Sequence, residues 1–88
     1  MSVPVRVLFL ASLREAAGQA ELTLEAADLA GLVAALRAEL SAEAFEAVTG
    51  ESVRIAHNQT LVPPGADPAA TALEANDEIA FLPPVTGG

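Results

Sequence analysis

Leu29, Leu32, Val33, Leu36 and Leu40 recur at the spacing of one helix face, and this stripe constrains the fold more than any other feature of the chain. A lone amphipathic helix must bury its stripe against something, and the flanking stretches supply strands. "VPVRVLFLA" (3–11) is rich in β-branched and aromatic residues and reads as a first strand, with Pro4 tolerable near a strand start or on an edge. "AELTLEA" (20–26) alternates and reads as a second strand; "SLREAAGQ" (12–19) reads as the connection, with Gly18 suited to a turn. Asp28 is the best helix cap by residue type, and Gly31 is another possible start. Ser41 is placed to cap a second short helical piece, "AEAFEAV", stopped at Gly50.

Beyond the helices, "SVRIAHNQTLV" (52–62) reads as a strand, a polar turn and a short extension through Leu61 and Val62. "PPGADP" (63–68) is incompatible with regular structure, "ATALEAND" reads as a helical turn or loop, and "EIAFL" (78–82) as the last strand. The expected class is α+β: a small mixed sheet in the order β-β-α-β-β, with one main helix packed on one face. Residues 1–82 form the expected domain and residues 83–88 an extended tail.

Eighty-eight residues, with 52% hydrophobic content drawn mainly from Ala, Leu and Val, suffice for one modest core and leave little to enclose an active site. The absence of cysteine excludes disulfides, thiolate metal sites and a side-chain sulfur nucleophile. Twelve acids against four bases give a net charge of −8, and the bases are four scattered arginines, Arg6, Arg14, Arg37 and Arg54. Direct nucleic-acid binding is not expected, whereas a basic partner surface fits the charge. Without lysine there is no side-chain amine to acylate, so the chain cannot form lysine-linked chains of itself. "VLFLA" is too short to span a membrane, and no cleavage site follows it, so a cytoplasmic protein is expected.

Candidate sites within the sequence are few. His57 is the only histidine and has no ligand-type neighbour, so no metal site is expected; a strand-packing or surface role suits it. Asn58 and Gln59 suit a turn, and Arg14 is a candidate contact to an acidic group. The carboxylates are dispersed, with no acid–base pair evident in their spacing. Strand alternation places Val5, Val7, Phe9, Ile79 and Phe81 on one face and Arg6, Leu8, Leu10, Glu78, Ala80 and Leu82 on the other. Because Arg6 and Glu78 should face water, the apolar residues beside them form a candidate interface, which Leu61 can join.

Three stretches, "VRVLFLASLRE", "AHNQTLV" and "NDEIAFLPPVTGG", resemble the small, sulfur-carrying subunit of molybdopterin synthase, a member of the ubiquitin-like β-grasp family. "FLPPVTGG" is the most specific, since Gly-Gly alone is shared with ubiquitin and with the thiazole-forming sulfur carrier. The resemblance implies a sulfur carrier that is no enzyme alone but the sulfur-donor subunit of a sulfurtransferase complex. A ubiquitin-activating-like adenylyltransferase would use ATP to adenylate Gly88, leaving a thiocarboxylate (1-thioglycine) and no stably bound cofactor. The charged tail would enter the large catalytic subunit, in a heterotetramer of two small and two large subunits, and sulfurate a pterin precursor (precursor Z, cyclic pyranopterin monophosphate). Gly87, lacking a Cβ, would let the tail through a narrow channel. Pro83, Pro84 and Val85 would carry it outward, six residues reaching roughly 20 Å. Leu8, Leu10, Leu61, Ala80 and Leu82 would dock partners beside it. A ubiquitin-like modifier forming amide bonds with lysines, and a sulfur carrier for thiazole or tRNA thiolation, are the alternatives.

Overall fold

The computed structural model describes residues 1–84. Strand β1 (Val3–Phe9) leads through helix α1 (Ser12–Ala17) to β2 (Glu21–Ala26), followed by α2 (Leu29–Glu39) and α3 (Ala42–Val48). β3 (Arg54–His57), β4 (Thr60–Leu61), a 3₁₀ turn at Pro68–Ala70 and β5 (Asp77–Leu82) complete the order. The five strands form one mixed sheet in the order β2-β1-β5-β3-β4. β1 and β5 are parallel, with Val5 opposite Asp77 and Phe9 opposite Phe81; the other pairs are antiparallel. This is the expected α+β, ubiquitin-like β-grasp arrangement.

The leucine stripe goes where its spacing directs it. Leu29, Leu32 and Leu36 are buried against Val5, Val7, Phe9, Ile79 and Phe81, the inward faces of the two central strands. Phe9 and Phe81 stack with ring centroids 6.0 Å apart, which ties β1 to β5 through the core. Asp28 caps α2 by accepting the Gly31 N–H at 2.7 Å, and Ser41 caps α3 by accepting that of Ala44 at 3.1 Å. Both helix starts satisfy an otherwise unpaired backbone donor.

Residues 12–19 depart from expectation. They hold a six-residue helix, buried through Leu13 and ended by Gly18 in the left-handed region at φ 77°. No side chain caps its start; Ala11 instead has φ 51° and ψ −128°, and the chain turns sharply out of β1 there. The first strand therefore ends at Phe9 instead of residue 11, and the 52–62 strand begins only at Arg54.

Candidate functional site

β5 lies between β1 and β3, so the chain leaves the sheet from its centre rather than from an edge. Its alternation explains both its faces. Ile79 and Phe81 are fully buried under the helices, while Glu78, Ala80 and Leu82 point to the face that no helix covers.

The register assembles that open face in rows. Glu21, Leu8, Ala80, Ala56 and Leu61 are successive partners across all five strands. The two alanines lie low, 5% and 7% exposed, whereas Leu8 is half-buried and Leu61 is 57% exposed. The result is a shallow apolar saddle with an alanine floor and a leucine on either side. Ala80, expected to contribute surface, contributes floor instead, because a methyl group between larger neighbours is screened by them. One row towards the strand start, Arg6 lies opposite Glu78 and binds Glu21 at 3.0 Å and Glu78 at 3.9 Å, closing that side with paired charge. One row the other way, Arg54 lies opposite Leu82, the last rung before the tail. Leu10 is 39% exposed just beyond β1, and its N–H donates to the Phe81 carbonyl, so it also borders the exit.

Pro83 is half-buried and Pro84 exposed; neither has an N–H to donate, so the ladder cannot continue through them. Pro84 and Arg54 both line an open groove whose other residues include Val53, Ile55, Leu61 and Pro63. The expectations for Val85, Gly87 and Gly88 lie outside the described residues.

Sequence reasoning missed one polar cluster. His57 Nε2 lies 2.7 Å from Asp77 Oδ2, the Asn58 amide donates to Asp77 Oδ1 at 3.1 Å, and the Glu74 N–H donates to Oδ2 at 2.9 Å. The Asp77 carboxyl is lowered to about 2, first by the Glu74 N–H and then by His57 and Asn58. Asp77 opens β5 and Leu82 ends it, so this cluster sits about 16 Å from the tail exit at the strand's rise per residue. It fastens the β3–β4 turn to the start of β5. His57, expected to have a strand-packing or surface role, has an unforeseen polar partner 20 residues away. No group of three or more metal-ligating side chains occurs among the described residues, and no described helix is long and apolar enough to cross a membrane.

A family profile described as the ThiS family matches residues 7–88. No curated protein matches the chain. Among solved structures, small archaeal modifier protein 1 from Methanosarcina acetivorans is 29% identical, with 100% of this chain and 99% of that one covered and a TM-score of 0.78. A Pyrococcus furiosus protein assigned as molybdopterin converting factor subunit 1 is 28% identical, with 96% and 100% covered and a TM-score of 0.75. A chain in the complex of subunits 1 and 2 of molybdopterin-converting factor from Helicobacter pylori is 28% identical, with 98% and 100% covered and a TM-score of 0.71.

Proposed function

The chain belongs to the ThiS family of ubiquitin-like sulfur carriers, and from that membership we propose that it supplies sulfur for molybdenum cofactor biosynthesis from a thiocarboxylate on Gly88. The observation that carries the reading is the exit of the chain from the central strand β5 beside an uncovered apolar saddle, in a sequence that continues as "PPVTGG". A protein that binds the saddle receives the tail at the same time. The similarity to a chain in a complex of converting-factor subunits 1 and 2 supports a large-subunit partner for this chain.

The chemistry follows from what the chain lacks. A carboxylate is a poor electrophile at neutral pH, so an activating enzyme would first transfer AMP from ATP to Gly88, releasing pyrophosphate. A sulfide-equivalent donor would then displace AMP and leave the thiocarboxylate. That sulfur is anionic and polarisable, the nucleophile a cysteine-free chain cannot otherwise offer. Binding and acid–base groups for the pterin would belong to the large subunit, with two small and two large subunits in the assembly.

Mixing the thiocarboxylated protein with a large subunit and the sulfur-free precursor should yield the dithiolene and return Gly88 to a carboxylate. Deleting Gly88 should abolish this without unfolding the domain. If the precursor stays unsulfurated while a thiazole or tRNA system consumes the thiocarboxylate, the pathway assignment fails. A second reading, as a protein modifier, is favoured by the similarity to a small archaeal modifier protein; it requires amide linkage of Gly88 to lysines of other proteins.

A further inference from the structure

The four arginines differ in what surrounds them. Arg6 is held by Glu21 and Glu78. The Arg37 guanidinium lies 5.5 Å from the centre of the Phe45 ring, joining α2 to α3. Arg14 stands in the last turn of α1, where a cation faces the negative end of the helix. Arg54 is exposed and has no ion pair or side-chain hydrogen bond among the described residues, in a protein whose net charge is −8. Glu51 lines the same groove without pairing with it.

Its position gives this unpaired cation a use. Arg54 is the register partner of Leu82, so it stands beside the last strand residue before the tail. Two residues along β3, on the same face, Ala56 forms the floor of the saddle with Ala80. The open face is therefore polarised: an ion pair already closed at one end, an apolar floor in the middle, and an uncompensated guanidinium at the tail exit. A surface segment that fits it carries an apolar side chain for the alanine floor and a carboxylate about 7 Å away, the i to i+2 spacing along a strand. Such a carboxylate would find five N–H donors in a fixed fork.

We propose that Arg54 binds a carboxylate on the large subunit that receives the tail, and so fixes the register in which the saddle docks and the tail enters. The inference rests on the carrier reading above, because it assumes a receiving protein. The contact is one of binding and positioning; it takes no part in the sulfur-transfer step.

The test titrates wild type, Arg54→Met and Arg54→Lys against the large subunit and against the activating enzyme, at low and high salt. Methionine keeps much of the stem's length without charge, while lysine keeps the charge without the fork. The contact requires Arg54→Met to bind the large subunit about ten-fold or more weakly and with flatter salt dependence, and Arg54→Lys to recover part of the loss; a loss confined to the activating enzyme overturns it. Equal affinity and salt dependence in wild type and Arg54→Met overturn the contact and leave the carrier reading intact. Tighter binding by Arg54→Met also overturns it, since Arg54 would then be holding an acidic group of its own chain, such as the Gly88 carboxylate. If Arg54→Met matches wild type and Arg54→Lys alone is weak, the side chain acts by packing and the proposal fails. Failure of wild type to bind either protein overturns both the carrier reading and the contact.

Discussion

The Asp77 carboxylate accepts hydrogen bonds from the Glu74 N–H, the Asn58 amide and His57, and this fixes the sign of its effect on stability. Its pKa falls from 3.8 to about 2 on folding, so its contribution is complete above the unfolded value and is lost as pH drops through about 2. Asp77→Asn should lower stability at neutral pH by about 1–3 kcal/mol, since one carboxylate acceptor is lost and the others weaken. The variant should also lack the part of the acid-induced loss that Asp77 causes in wild type. Urea unfolding at neutral pH and across the acid range checks both; coincident stability curves for the two proteins would show that the cluster carries no folding energy. This cluster was not legible in the sequence. His57 and Asp77 lie 20 residues apart, and only the β3–β5 pairing brings them together.

Elements with periodic apolar residues and capping side chains were legible. The α2 stripe, Asp28 and Ser41 all act as residue type and spacing require, and the Asn58–Gln59 turn joins β3 to β4 with both residues at positive φ, 50° and 70°. Helix α1 was not legible, because six residues show too little periodicity and its start depends on backbone conformation instead of a capping side chain. That conformation is itself testable. Ala11 is exposed and occupies a region of backbone angles that favours glycine, so its methyl group adds strain without filling a core site. Ala11→Gly should raise stability by about 1 kcal/mol, read as a higher urea midpoint with unchanged slope. A lower midpoint would mean that the loss of backbone entropy outweighs the relief of strain.

For the whole molecule, alternation alone identified the open face, since Arg6 and Glu78 had to face water and drew Leu8 and Leu82 with them. What alternation could not supply was the parallel pairing of β1 with β5, which joins residues more than 70 positions apart and sets the tail's exit at the sheet centre. Nor could it show that Ala56 and Ala80 form a floor, or that Arg54 stands in register with Leu82; both depend on the β3–β5 partners. A molecule that presents a tail to be charged with sulfur reveals it in the mass of its C-terminal peptide after incubation with an activating enzyme, ATP and a sulfur donor. A sulfur carrier should show an oxygen-to-sulfur exchange confined to Gly88, dependent on ATP and trapped by a thiol-alkylating reagent. An unchanged C-terminal peptide, or one joined to lysines of other proteins with no sulfur gained, would contradict the carrier reading.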